Sequence, residues 1–281
     1  MPVNIIDAII NLVSTPIYTV GVYYNNHNRA NDMGTALEEY VKDLFAGTIT
    51  SNEQDRLKRF QEVFSYSGNQ NNPPDFMIRG GAAVEVKKIE SRGSQLALNS
   101  SYPKAILKAS SSMLTSQCRN AETWTQKDLI YAVGVVSHAD VSELCLIYGV
   151  DYAASSEIYK RIKSIIKEGV RGIEGVEFAE TNELGRVNRV DPLGITNLRI
   201  RGMWSIQNPF EVFRYVYTAK TNFSFNFFSL IETSKYYGFE NWSKLQYLAN
   251  GLNGLKITPV SIKSPDNPIG LINAMLITYY R

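Results

Sequence analysis

Pro74-Asp75-Phe76-Met77-Ile78-Arg79-Gly80-Gly81-Ala82-Ala83-Val84-Glu85-Val86-Lys87-Lys88-Ile89 is the stretch from which the rest of the chain is read. Two short apolar runs joined by Gly80-Gly81 have the pattern of a β-hairpin. Side chains alternate along a strand, so Glu85 and Lys87 share one face while Val84 and Val86 enter the other. With Gly80 at the centre of the turn, Ile78 faces Ala82, Phe76 faces Val84 and Asp75 faces Glu85. Cross-strand partners have Cβ atoms about 4.5–5.5 Å apart. Two carboxylates that close repel strongly unless a cation stands between them.

Outward from the hairpin, residues 65–74 (Ser-Tyr-Ser-Gly-Asn-Gln-Asn-Asn-Pro-Pro) read as a loop. Upstream, Leu37, Tyr40, Val41, Leu44 and Phe45 recur at helical spacing, which predicts a helix over about 35–46 ended by Gly47. A second amphipathic stretch covers about 53–64. Downstream, Ser101 and Pro103 open a predicted helix that runs to about Cys118. Leu129–Val136 and Leu144–Val150 have strand length and composition. Ser155–Lys167 reads as a helix with Ile158, Ile162, Ile165 and Ile166 on one stripe. Residues 171–197 are Gly- and Glu-rich with weak periodicity, a candidate boundary, and residues 204–242 hold 13 of the 32 aromatics. Aromatics so dense point to core or a subunit interface rather than a base-stacking platform. The expected class is α/β (α+β), a mixed central sheet flanked by helices, with residues 1–170 as the core and 171–281 as an aromatic-rich, β-containing C-terminal part.

Composition excludes several classes. The 281 residues carry 29 basic and 27 acidic side chains, so net charge says little, but residues 75–120 hold 7 basic against 3 acidic. A modestly positive centre permits a nucleic-acid partner. Two cysteines without CxxC spacing support neither a disulfide framework nor a cysteine zinc site. No apolar run approaches the ~20 residues needed to span a bilayer, and the apolar start lacks a basic leader region, so a soluble, cytoplasmic protein without a membrane partner is expected. There is no G-x-x-x-x-G-K loop for a nucleotide cofactor and no G-x-S-x-G elbow. His27 and His138 are the only histidines, which leaves histidine-based nuclease and protease schemes without parts.

What remains is Pro74-Asp75, nine intervening residues, then Glu85-Val86-Lys87, the form of the Pro-Asp…(Asp/Glu)-x-Lys nuclease motif. Hard carboxylate oxygens suit Mg²⁺, which takes one or two carboxylates plus phosphate oxygens. Asp75, Glu85 and Val86 are the expected metal-holding positions. Lys87, on the same face, can orient a water in line with a phosphodiester. The bland alternative is a surface hairpin with a solvated Glu/Lys ladder.

Gly68-Asn69-Gln70-Asn71-Asn72-Pro73-Pro74-Asp75, Val84–Glu90 and Leu98-Asn99-Ser100-Ser101-Tyr102-Pro103-Lys104 resemble type II restriction endonucleases of the NgoPII kind, most densely over about 65–120. The resemblance implies the restriction-endonuclease-like core, in the element order α-β-β-β-α-β. It also implies Mg²⁺ dependence and cleavage of double-stranded DNA at a short palindrome, GGCC, by a homodimer. The motif carries over to Asp75, Glu85 and Lys87 without substitution, and Glu38 lies on the first helix where many such enzymes add an acid.

Candidate DNA-binding residues follow from chemistry and position. Asn69, Gln70, Asn71 and Asn72 are amides beside the hairpin that can pair with adenine edges, contact phosphates, or cap a turn. Lys88, Arg92, Ser94, Gln95, Asn99, Ser100 and Lys104 follow the motif lysine. Arg199 and Arg201 alternate with Leu198 and Ile200; they suit guanine O6/N7 contacts or a solvated strand face. Two other readings stay open at this point: a nuclease of the same motif acting on branched or damaged DNA, and a non-catalytic DNA-binding module that keeps the hairpin.

Overall fold

The computed structural model describes residues 2–281 except 27–31, 70, 71, 175, 180 and 182. His27, Gln70 and Asn71 lie outside the described residues, as do the side chains of Asn69 and Asn99.

The helical spacing of residues 37–45 is satisfied by burial. Helices α1 (Ile5–Ser14), α2 (Val20–Asn26), α3 (Met33–Ala46) and α4 (Glu53–Val63) precede the hairpin. Asp32 caps α3 by accepting the N–H groups of Gly34 and Thr35 at 2.8 and 3.0 Å. Gly47 ends it in the left-handed region at φ 70°. Leu37, Tyr40, Val41, Leu44 and Phe45 are all buried against the sheet.

Strands β1 (Phe64–Asn69), β2 (Asn72–Ile78) and β3 (Ala83–Ile89) follow. The stretch 65–74 is therefore mostly strand, not loop: β1 pairs antiparallel with β2 through bulges. Polar side chains do not prevent this, because the backbone supplies the ladder and β1 is an edge. The hairpin register is the expected one, with Phe76 opposite Val84, Ile78 N–H donating to Ala82 O at 2.9 Å, and Gly80 at φ 65°.

The helix expected over 101–118 does not form. β4 (Leu96–Asn99) and β5 (Ile106–Lys108) precede a five-residue helix, α5 (Ser116–Asn120). Leu107 is fully buried as β5 pairs with β6 (Gln126–Ser137). Serine hydroxyls compete for backbone groups, and the Arg119 guanidinium donates to the carbonyls of Ala109 and Ser111 at 2.9 and 3.2 Å. Tertiary pairing and those bonds outweigh a Ser/Pro start signal, so the α-β-β-β-α-β order lacks its second full helix.

β7 (Asp140–Tyr148), α6 (Gly149–Tyr152) and α7 (Ser156–Arg171) continue the chain, then β8 (Glu177–Phe178), β9 (Gly185–Asn188), β10 (Leu198–Ile200) and β11 (Trp204–Ile206). Last come α8 (Pro209–Val212), β12 (Asn226–Glu232), α9 (Thr233–Gly238), α10 (Trp242–Gly251), β13 (Leu255–Lys263) and β14 (Leu271–Tyr280). Among the described residues the central sheet has the order β1-β2-β3-β6-β7-β12-β14-β13. It is mixed: β3 runs parallel to β6 and β7 to β12, while the other neighbours are antiparallel. The sheet thus continues past residue 171, and the segment that stands apart from it is 177–206, with β10-β9-β8 as one small sheet and β11 paired to β4.

Two cores fill the two sheet faces. Phe76, Val84, Ile130 and Ala132 pack against α1–α3, and the alternating Met77, Ala83, Leu129, Tyr131 and Val133 pack on the other side. Phe210, Phe213, Tyr217 and Phe228 are buried in that second core, so this aromatic cluster is interior packing. α7 is the exception: none of its residues is buried, and Ile158, Ile162, Ile165 and Ile166 lie exposed. No helix among the described residues is long and apolar enough to cross a membrane.

Candidate active site

Alternation along β3 sends Val84 and Val86 into the core under α3 and turns Glu85 and Lys87 to the opposite face. Asp75 reaches the same site from β2 and is tied there by the Val86 N–H, which donates to its Oδ2 at 2.6 Å. Lys87 Nζ donates to Glu85 Oε1 at 2.6 Å. The three line a cavity of about 190 Å³, floored by Tyr131, which lies opposite Glu85 in the parallel β3–β6 pair.

Electrostatically the site is strained. Burial, then the charge of Glu85, pushes the Asp75 carboxyl up to about 7 from an ordinary 3.8. Burial works against the Lys87 ammonium, but Glu85 and Asp75 outweigh it and hold its pKa above the usual lysine value. Among the described residues Glu85 Oε2 is buried without a hydrogen-bond partner. An orphaned carboxylate oxygen beside a second, repelled carboxylate is a place for a cation. Among the described residues no group of three or more His, Cys, Asp or Glu side chains is arranged for a metal, so the acids of the site are this pair. Glu38 on α3 is ion-paired with Lys42 at 2.7 Å, yet close enough to add to the negative field at Asp75 and Lys87.

Of the other residues singled out from sequence, Asn72, Ser100 and Lys104 line the same cavity. Burial, reinforced by Lys87, lowers the Lys104 pKa even though Glu85 opposes the shift. Lys88 turns away and stands 3.7 Å from Glu90. Arg92 is committed to Glu143, with Nη2 to Oε2 at 2.7 Å, and its carbonyl and that of Ser94 are held by Asn208. Gln95 accepts from the Ser205 hydroxyl at 2.6 Å. Arg199 and Arg201 share one face, both bonded to Glu183, and only Arg201 of the two reaches a cavity next to the site.

That neighbouring cavity, about 580 Å³, is lined by Lys108, Lys160 and Lys163, which the sequence does not single out. The apolar stripe of α7 dominates its periodicity; only the i, i+3 spacing of Lys160 and Lys163 hints at a second functional face.

The chain matches the family model described as NgoPII restriction endonuclease over residues 3–263. It is similar to the type II restriction enzyme NgoPII of Neisseria gonorrhoeae, 53% identical over 278 residues covering 99% of each chain. No solved structure matches. The resemblance seen around the hairpin thus extends along the whole chain, and the chain belongs to the NgoPII family of type II restriction endonucleases, which cleave DNA at a specific site.

Proposed function

We propose that the protein hydrolyses both strands of duplex DNA at GGCC with Mg²⁺, leaving 5′-phosphate and 3′-hydroxyl ends, as a cytoplasmic homodimer. The observation that carries the metal-dependent chemistry is the unpartnered Glu85 Oε2 beside Asp75, whose carboxyl is pushed up to about 7. These donors fit a hard cation, with Asp75, Glu85 and the main chain of Val86 as ligands. Bound there, Mg²⁺ would supply Lewis-acid stabilisation of the charge that develops on the phosphodiester. Glu85 fixes the Lys87 ammonium at 2.6 Å, so Lys87 is oriented to hold the attacking water and to face the phosphate charge. Glu38 supports the field from α3. In this reading α3, the hairpin and β6 are the Pro-Asp…(Asp/Glu)-x-Lys core, and residues 183–204 are the part of 171–281 that serves DNA.

Cutting two strands of a palindrome calls for two copies related by a two-fold axis. The exposed isoleucines Ile158, Ile162, Ile165 and Ile166 support α7 as the pairing surface. By helical spacing the stripe is centred opposite Lys160, with Lys163 at its flank, and a duplex offers such a stripe no apolar partner. Light scattering is expected to give a dimer for the wild type and a monomer for Ile162→Asp; a monomeric wild type at micromolar concentration removes α7 from this role.

The decisive experiment is digestion of a defined plasmid with Mg²⁺, against EDTA and Asp75→Ala controls, with sequencing of the ends. Discrete fragments sharing GGCC are expected. Fragments sharing another palindrome reject the site, random metal-dependent cutting rejects the specificity, and cleavage that survives Asp75→Ala rejects the hairpin chemistry.

A further inference from the structure

Lys104 sits where two cavities meet. The inner one, about 190 Å³, contains Asp75, Glu85 and Lys87. The outer one, about 580 Å³, runs between residues 100–113 and α7. Ser101, Tyr102 and Lys104 line both. The Lys104 main chain is clamped by Tyr131, whose hydroxyl accepts its N–H at 2.9 Å and donates to its carbonyl at 3.2 Å. Gly149 allows that approach, because a Cβ there would stand 2.5 Å from the Lys104 carbonyl oxygen.

The outer wall is fixed by three rings. Tyr159 of α7 stacks on Tyr102 at 5.3 Å, and Trp204 meets Tyr159 and Tyr102 edge-on at 5.7 and 6.1 Å. α7 is thereby held beside the groove with Lys160 and Lys163 lining it. With Lys104, Lys108 and Arg201, that makes five basic side chains against two acids among the described residues. One of the acids, Glu183, is already taken by Arg199 and Arg201. The other, Glu157, stands 3.9 Å from Lys160.

Lys87 is committed to Glu85, whereas the Lys104 ammonium donates to the Ser101 hydroxyl and pairs with no carboxylate among the described residues. A cationic, hydroxyl-lined groove opening on two carboxylates fits a polyanion whose backbone passes between them. We propose that the outer groove is the track of one DNA strand: Lys104 grips the phosphodiester at the cut, and Lys108, Lys160 and Lys163 neutralise phosphates on the flanking nucleotides. Lys104 touches the reacting phosphodiester itself in this scheme. The proposal rests on the reading of Asp75 and Glu85 as the cut site, and the two are tested separately.

The track is tested by equilibrium binding of a labelled duplex in EDTA across a salt series. Each phosphate contact contributes about 0.9 to the log–log salt slope, so Lys160→Ala/Lys163→Ala is expected to flatten the slope by about two and weaken binding about tenfold or more. Lys244→Ala/Lys256→Ala, on α10 and at the far sheet edge on β13, is the control. An unchanged slope in the groove variant, or an equal loss in the control, overturns the track.

The grip is tested by single-turnover cleavage at saturating protein. Lys104→Met is expected to lose about 10²- to 10³-fold in rate, with part restored in Lys104→Arg. A Lys104→Met protein cutting at the wild-type rate overturns the grip, as does a Lys104→Arg protein that folds but recovers nothing. A wild type that does not cut with Mg²⁺ rejects the underlying reading instead, while the salt slope still decides the track.

Discussion

Two clusters of buried charge lie on opposite faces of the same sheet and are built in opposite ways. Behind the hairpin, Asp43 is fully buried, yet its oxygens are taken by Arg56 Nε at 2.8 Å, the Tyr24 hydroxyl at 2.6 Å and the Thr48 hydroxyl. Arg56 reaches on to Glu39, which also pairs with Lys42 at 2.9 Å. Burial raises the Glu39 carboxyl, but Lys42 and Arg56 overcome it and hold its pKa below the ordinary range. In front, Asp75 and Glu85 push against each other across β2 and β3, and Glu85 Oε2 has no partner among the described residues. A buried charge is tolerated when fully paired and costly when not. The first cluster is closed and joins α2, α3 and α4; the second keeps open valences that a cation and a phosphate can fill.

Mutation separates the two most sharply. Asp75→Ala and Glu85→Ala are expected to lower cleavage by at least about 10³-fold. Glu85→Ala also strips Lys87 of its partner, so the stress is isolated by Asp75→Asn, which removes the repulsion, keeps an acceptor for the Val86 N–H and is expected to melt at or above the wild type. Lys87→Ala follows at about 10²- to 10⁴-fold in cleavage, with duplex binding nearly intact. Wild-type cutting by Lys87→Ala means that the open cluster is not the reaction centre. Asp43→Ala should show the reverse signature: about 3–5 kcal/mol of stability lost in urea unfolding, because Arg56, though still held by Glu39, loses its fully buried partner and the Tyr24 and Thr48 hydroxyls lose this acceptor. A mild Asp43→Ala protein breaks the distinction between closed and open clusters.

The smallest effect is the pH dependence, and its signs are opposite. Folded Asp75 keeps its proton to about 7, whereas the unfolded chain releases it near 3.8. The folded state therefore binds more protons in between, and metal-free stability falls as pH rises across that window. Asp75→Asn should remove this slope. Glu39 is shifted down from 4.5, so its contribution is present above that value and is lost as pH falls through its lowered pKa. Denaturant midpoints of metal-free protein from pH 4 to 8 check both; a flat profile in the wild type that Asp75→Asn leaves unchanged removes Asp75 from the account.

Legibility followed the range of the interactions. The hairpin register and the helix over 35–46 depend on neighbours a few residues away, and both stand as the sequence predicts. The helix expected over 101–118 failed because β5 is held by β6, about twenty residues on, and by the Arg119 bonds to carbonyls. The Asn/Gln/Pro stretch became strand because an edge ladder needs backbone groups rather than apolar side chains. Arg92 stood in sequence order beside the motif lysine, but its guanidinium is spent on Glu143, 51 positions away.

The sequence by itself determined that Asp75, Glu85 and Lys87 share one hairpin face, because a two-residue side-chain period and a glycine turn leave no other arrangement. It also carried the kinship with type II restriction endonucleases. Only the tertiary structure decided that this face is buried enough to push Asp75 up and strand an oxygen of Glu85, that Lys104 stands at the mouth of the site, and that α7 lines the outer groove with Lys160 and Lys163 while leaving its isoleucines bare. Burial and electrostatic stress are set by distances through space between segments tens of residues apart, and residue spacing along the chain does not encode them.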